Sequence, residues 1–313
     1  METKEWLRNL ALESGFSIAG FSRAEISIVE SENILQWENR QLYGSMDWFP
    51  ERNAIRLHFE NLGFKPVSVI SLAVLYNPRD YAEIFSRFSF KFSRYAVGRD
   101  YHNVIKQMLA PILSELRKKF PENHFRAASD SLPIAEKVLA LNSGIGWRGK
   151  NTNIINSKFG SYFFLAEILT DLEIAADIPE KNRCGSCTAC IDICPTQALT
   201  EAYQIDAGKC ISHATIEERS DKLSIDTHGW IYGCDLCQSV CPWNIKAERN
   251  GRYSMVSEFQ VSEHFVTKTE EEILSLDEKS FHEFFKESAV MRISHKQYNR
   301  NVKAFYQRKT ESA

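Results

Sequence analysis

All eight cysteines of this 313-residue chain fall between Cys184 and Cys241, and none lies outside that window. Cysteine here belongs to one module. A disulfide ladder is disfavoured, because the N-terminus carries no secretory signal and the spacing is too dense for a series of bridges. The first run is Cys184-x2-Cys187-x2-Cys190-x3-Cys194-Pro195; the second is Cys210, then Cys234-x2-Cys237-x3-Cys241-Pro242. In two-cluster bacterial ferredoxins the first three cysteines of a run hold one cubane, and the fourth, before proline, crosses to the other cluster. That rule expects Cys184, Cys187, Cys190 and Cys241 on one 4Fe–4S cluster and Cys194, Cys210, Cys234 and Cys237 on a second, with no thiol left over. Structural zinc in paired C-x-x-C knuckles stands as the alternative; successive two-residue gaps followed by Cys-Pro favour the iron cubane. The second run is irregular, its first cysteine displaced upstream by "ISHATIEERSDKLSIDTHGWIYG". Two such clusters pass single electrons, so the module would serve redox chemistry elsewhere in the chain.

The rest of the chain is ordinary globular material, with 43% hydrophobic and 25% charged residues. Its length suits two or three domains. No run reaches the roughly 18 apolar residues of a membrane span, and the start lacks twin arginines, so a cytoplasmic address without membrane attachment is expected. A formal net charge of -3 gives no global pull toward nucleic acid, which leaves any polyanion site to a local patch.

Residues 1 to about 40 read as helical, with Trp6, Leu7, Leu10 and Ala11 and then Ile34, Leu35 and Trp37 among charges. "VSVISLAVLY" (Val67 to Tyr76) reads as a buried strand ending before Asn77-Pro78. "YHNVIKQMLAPILSELRKKF" has a helical period that Pro111 should interrupt or kink. Asp130 and Ser131 precede Pro133 as a helix start, and "IAEKVLALNS" continues until Gly144 supplies a left-handed stop. "NTNIIN" and "SYFFLAEIL" read as a hairpin around "SKFG". The intervening "GIGWRGKN" (Gly144 to Asn151) is a literal G-x-G-x-x-G, and it misses the P-loop pattern only at Asn151. A dinucleotide fingerprint needs strand, glycine turn, helix in that order; here the glycines follow a helix and precede strands. These glycines are therefore expected to make a close-packed backbone wall.

Taken together, "FSRYAVGRDYH", "SDSLPIAEKVLALNSGIGWRGKNT", "GSYFFLAEILTDLE", "RCGSCTACIDICPTQA", "CISHATIE" and "YGCDLCQSVCPWN" resemble the epoxyqueuosine reductase family, over roughly residues 5 to 250. That resemblance implies a mixed α+β or α/β fold. It consists of a cobalamin-binding α/β domain (1–175), a ferredoxin-like two-cluster module (176–250) and a short helical C-terminal segment contacting tRNA (251–313). It implies reduction of epoxyqueuosine to queuosine at the tRNA wobble position, with electrons passing from two 4Fe–4S clusters to cobalamin that rests as cob(II)alamin. An external flavodoxin- or ferredoxin-like donor and a monomer are implied too. Asp130 matches the family's proton donor, a role that requires burial or a like charge to keep its carboxyl neutral; a helix cap is the plainer role for Asp130 or Ser131. Arg56, Ser93, Arg94, Tyr95, Ile154, Ser161, Leu165, Ser212, Cys234 and Asp235 are the corrin-pocket candidates. Asp226-Thr227-His228-Gly229 begins like a cobalt-ligating D-x-H-x-x-G box but carries Ile231 at the glycine position, so no histidine ligand is expected. The basic tail, above all Lys296, Arg300 and Lys303, is the candidate tRNA contact, with a solvated helix face as the alternative. A reductive dehalogenase-like corrinoid enzyme would call for an export signal and no basic tail. A ferredoxin-type carrier would not need the motif around Asp130.

Overall fold

The computed structural model describes residues 2–60 and 62–311. Its centre is a four-stranded antiparallel sheet built from β1 (Ile18–Arg23), β2 (Ser68–Leu75), β4 (Phe125–Ala128) and β7 (Phe163–Thr170), in the order β1-β2-β7-β4. Every residue of β2 is buried, as its unbroken β-branched and apolar run requires of a strand covered on both faces. On one face Ile70, Leu72, Ala166 and Ile168 pack under the helices Glu2–Glu13 and Tyr101–Lys119. On the other, Val69, Ala73 and Leu169 meet Leu139 and Ala140 of the helix Glu136–Asn142. Leu165 and Glu167 share that second face, since strand residues two apart point the same way.

Several local expectations change. β1 interrupts the helical reading of the first forty residues, because "SIAGFS" pairs along the full edge of β2. The helix Tyr101–Lys119 runs unbroken through Pro111. Pro111 and Gln107, whose carbonyl loses its partner, both lie on the exposed side, where water satisfies that oxygen. The hairpin around "SKFG" is reduced to one antiparallel bridge, in which Asn156 and Gly160 exchange backbone hydrogen bonds of 2.7 and 3.0 Å. β6 (Ile154–Ile155) pairs instead with β5 (Trp147–Arg148), and β7 joins the main sheet.

Among the described residues no helix is long and apolar enough to cross a membrane. A further core joins distant parts of the chain: Phe90 and Phe92 (β3, Lys91–Phe92), Ile231 and Tyr232 (β8, Trp230–Tyr232), and Phe281, Phe285, Tyr298, Val302 and Phe305 of the C-terminal helices. The C-terminal segment thus packs its apolar side onto both the sheet domain and the insertion before Cys234. The cysteine module itself is mostly loop, with the short helices Ala189–Asp192, Leu236–Ser239 and Pro242–Arg249.

The glycine-rich segment joins that module to the sheet. Gly144 adopts φ +71°, the left-handed stop the sequence called for, and a Cβ on Gly146 would lie 2.2 Å from the Ile155 carbonyl oxygen. Trp147, fully enclosed, meets the Trp243 ring edge-on at 5.1 Å beside Cys241. Lys150 Nζ donates to the carbonyls of Gly185 (2.8 Å) and Cys187 (2.9 Å), and Asn151 Nδ2 to that of Cys237 (3.2 Å). No phosphate-cradling loop is made; "GKN" fastens both cysteine runs.

Candidate active site

Asp130 lies directly beyond β4, in a left-handed conformation (φ 53°) that few non-glycine residues adopt. Tyr101 Oη donates to its carboxylate at 2.7 Å, and His102 Nε2 stands 3.6 Å away. Its backbone N–H donates to Glu136 Oε1 at 2.6 Å, while Ser129 Oγ donates to the Leu165 carbonyl at 2.9 Å. The loop is thereby tied to two helices and to β7. The expected cap is not made: the helix begins only at Glu136, with no side-chain cap.

The side chain of Asp130 is 68% exposed and open to solvent on the side away from Tyr101 and His102. Desolvation by its neighbours alone would push its pKa up. Hydrogen bonds from His102 and Tyr101 and the charges of His102 and Arg292 outweigh it and hold the group below the ordinary carboxylate range. This corrects the expectation of a neutral carboxyl in the resting arrangement. The proton resides next door: hydrogen bonds to Asp100 and then to Asp130 raise His102 to about 9. Glu136 is pushed up to about 8 by burial and by the Asp130 charge. Lys137, on the same helix, is exposed to solvent, yet desolvation lowers its pKa, and Cys237 and Cys210 lie near enough to act on it. Its Nζ donates to Asn153 at 3.1 Å. The Glu136–Asn142 helix therefore links the Asp130 loop, through Glu136, to the thiols of the second cysteine run, through Lys137.

The thiols fall into two neighbourhoods. Burial raises Cys190, and Cys184, Cys241 and Cys187 add to the shift; Cys241 in turn is raised by burial and feels Cys184 and Cys187. Burial raises Cys234, Cys237 and Cys210 as well, with Cys237 and Cys210 acting on Cys234, Cys210, Cys190 and Cys194 on Cys237, and Cys194 on Cys210, so that the two groups adjoin where Cys190 meets Cys237. All eight are free thiols. Among the described residues no three His, Cys, Asp or Glu side chains converge on a position for one metal ion. A donor set of thiols alone, grouped in fours, suits clusters with one thiolate per iron corner.

The other candidates divide. Leu165, Tyr95, Ser212 and Cys234 keep partly open surfaces. Arg56 does not: its guanidinium lies 3.7 Å from the Phe49 ring centre and donates to the Phe49 carbonyl and the Asn53 side chain. Ser93 Oγ donates to Asp235 Oδ1 at 2.6 Å, and Asp235 also accepts the Arg94 backbone N–H at 2.7 Å. Arg94 lies between the rings of Tyr81 and Tyr162, its centre 4.5 and 4.9 Å from theirs. Ser161 is spent on Gln238 and Asn244, and Ile154 is core. The polar groups of Arg56, Ser93, Ser161 and Asp235 are taken up by these protein partners, while Arg94 keeps one buried guanidinium nitrogen, Nε, without a partner. His228 sits in a turn bonded to Asp226, which also pairs with Arg308.

The basic tail is corrected more sharply. Arg300 is 7% exposed, and its guanidinium donates to the carbonyls of Glu218 (2.8 Å), Ser220 (2.8 Å) and Ala214 (3.0 Å). It fastens the insertion that follows Cys210 and has no group left for a phosphate. Arg292 is bidentate with Glu217, and Lys296 pairs with Asp221 at 2.6 Å on the surface. Lys303 is exposed. Charge alone did not tell which base points inward. The pieces missed by sequence reading are Tyr101, His102, Glu136 and Lys150; all four sit inside the quoted motifs, and their partners there were the available signal.

Residues 56–131 match the family model "Epoxyqueuosine reductase QueG, DUF1730", and residues 183–244 match the "4Fe-4S double cluster binding domain". The epoxyqueuosine reductase of Leadbetterella byssophila is 39% identical over 305 residues, covering 96% of each chain. That of Escherichia coli is 36% identical over 309 residues, covering 96% of this chain and 78% of the other. A crystal structure of epoxyqueuosine reductase with an epoxyqueuosine-modified tRNA-Tyr stem loop superposes with a TM-score of 0.82 at 26% identity, covering 97% of this chain and 80% of that one. The Bacillus subtilis enzyme, with an aspartate-bearing catalytic loop swung out of its active site, gives 0.80 at 26% identity, covering 97% and 81%. The tied Asp130 loop, the eight free thiols of the cysteine module and relatedness along nearly the full length lead to one conclusion: this chain belongs to the epoxyqueuosine reductase family.

Proposed function

We propose that this chain reduces epoxyqueuosine in tRNA to queuosine in the chamber beside Asp130, with that residue passing a proton to the epoxide oxygen. The carrying observation is the Asp130 carboxylate, open on one side and held by Tyr101 and a protonated His102 on the other. The aspartate loop of the Bacillus subtilis relative supports the same role. Breaking both carbon–oxygen bonds of an epoxide to leave an alkene and water takes two electrons and two protons. His102 holds one proton at neutral pH and Asp130 is the group positioned to deliver it.

Cys184, Cys187, Cys190 and Cys241 would hold one 4Fe–4S cluster and Cys194, Cys210, Cys234 and Cys237 the other; Cys241 feels Cys184 and Cys187, and Cys210 feels Cys194, in keeping with that division, while Cys190 also reaches Cys237 where the two groups adjoin. Cobalamin, when bound, supplies the electron-rich cobalt centre; Leu165, Tyr95, Ser212 and Lys137 are the open side chains that would orient it and exclude water. Lys303, with Lys296 released from its exposed pair, would meet tRNA phosphates. A small electron-transfer protein would supply the reductant.

The test is anaerobic reconstitution with iron, sulfide and cobalamin, then reductant and tRNA bearing epoxyqueuosine, with mass analysis of the nucleosides. Queuosine should form, and Asp130→Asn should lower kcat by about 100-fold or more with cofactors retained. Full activity in that variant would sink the assignment. The His102 proton is held through neutral pH and lost as pH rises through about 9, so activity should fall there. Asp100→Asn, removing the largest cause of the raised value, should move that fall toward about 6.5.

A further inference from the structure

The reaction consumes two protons, and one carboxyl delivers one proton each time it ionises, so a lone Asp130 must be reloaded within a turnover. Two glutamates lie behind it. Glu167, in the middle of β7 on the face covered by the Glu136–Asn142 helix, has no solvent exposure, and neither of its carboxyl oxygens has a hydrogen-bond partner. Its register neighbours are Ser71 and Ala128, and its neighbours along the same face of β7 are Leu165 and Leu169. A leucine would pack in such a place, whereas an unpartnered carboxyl is costly unless it stays neutral. Glu136 stands on the facing helix, accepts the Asp130 backbone N–H at 2.6 Å and lies near the Tyr101 hydroxyl, which donates to Asp130 at 2.7 Å.

We propose that Glu136 and Glu167 form a two-carboxyl proton store beneath the Asp130 loop, which reloads Asp130 and so supplies the second proton of the reaction. This rests on the reading of Asp130 as the donor. The O–H bond of the Glu136 carboxyl breaks and that of Asp130 forms, with the Tyr101 hydroxyl as the bridge. Glu167 then refills Glu136 and, having no solvent exposure of its own, is reloaded through the half-buried Glu136 between turnovers. No electron moves in these steps; both electrons come from the reductant. The groups that act on Glu136 are Asp130, His102, Lys137 and Glu167, with the Tyr101 hydroxyl beside it; the one that acts on Glu167 is Glu136. Burial and the Asp130 charge keep Glu136 protonated up to about 8, and burial followed by the Glu136 charge keeps Glu167 neutral well above the ordinary range. Both therefore carry a proton at pH 7.

The experiment uses the reconstituted enzyme with two readouts, the pH profile of kcat and the infrared bands of neutral carboxyl groups. Glu136→Gln should lower kcat roughly ten-fold, less than loss of the direct acid, with KM unchanged. The pH step near 8 should vanish while the His102 limb remains. Glu136→Asp should restore most of the rate. Glu167→Gln should remove a neutral-carboxyl band at pH 7; if that variant does not fold, the half-buried Glu136 variants decide. Wild-type kcat and an unchanged profile in Glu136→Gln would overturn the store, as would an infrared spectrum in which Glu167→Gln removes no neutral carboxyl. An active Asp130→Asn enzyme would instead overturn the underlying reading, which separates the two failures.

Discussion

The two thiol neighbourhoods differ in how they are held, and the difference gives the cysteine module a direction. The first run is at the surface: Cys187 is exposed, and its loop is fastened from outside by Lys150. The second is the more enclosed: burial shifts Cys234 and Cys237 further than any thiol of the first run, Arg300 clamps the segment after Cys210, and Lys137 lies close by. Electrons entering at the exposed group and leaving by the enclosed one would arrive next to Asp130. An exposed group admits a partner, and an enclosed one keeps water from a reactive centre.

The largest effect should come from the enclosed side. Cys210→Ser should remove about half of the iron, taking one of two clusters, and abolish queuosine formation. Cys187→Ser should leave enough of the inner path for turnover with a strong small-molecule reductant. Equal loss of that activity in both variants would erase the directional distinction. Arg300→Ala should come next: it strands three buried carbonyls, at about 3 kcal/mol in thermal unfolding. The change should loosen the second cluster in preference to the first, as paramagnetic resonance of each would register. Lys150→Ala should be smallest, about 1 kcal/mol for two hydrogen bonds at a solvent-facing loop, visible as faster oxygen bleaching confined to the first cluster. Bleaching of both together would mean that the module unravels as one unit.

The module's content was legible because cluster ligation depends on short-range spacing, which a sequence displays directly. Asp130 was legible through its motif, though its charge state was not, since that is set by Tyr101 and His102 from a helix about thirty residues earlier. β1 escaped notice because Gly20 and small residues dilute its pattern; Gly20 is there because its Cα faces the Ser143 carbonyl too closely for a side chain. The expected hairpin, of which only the Asn156–Gly160 bridge forms, was overextended because β7 is covered on both faces and shows no alternation to reveal its partner. Arg300 was misjudged because a helical wheel of bases does not say which one meets carbonyls of a distant insertion.

The contact between Gly146 and Ile155, too tight for a methyl group, has a bearing on rate as well as on packing. Tunnelling probability decays steeply with the gap an electron must cross. A hinge at this joint would make that gap fluctuate and turnover stutter. A weld of glycine against strand, with two indoles locked beside it, would work as a ruler, holding constant the span between the cysteine module and the sheet that any electron would have to cross.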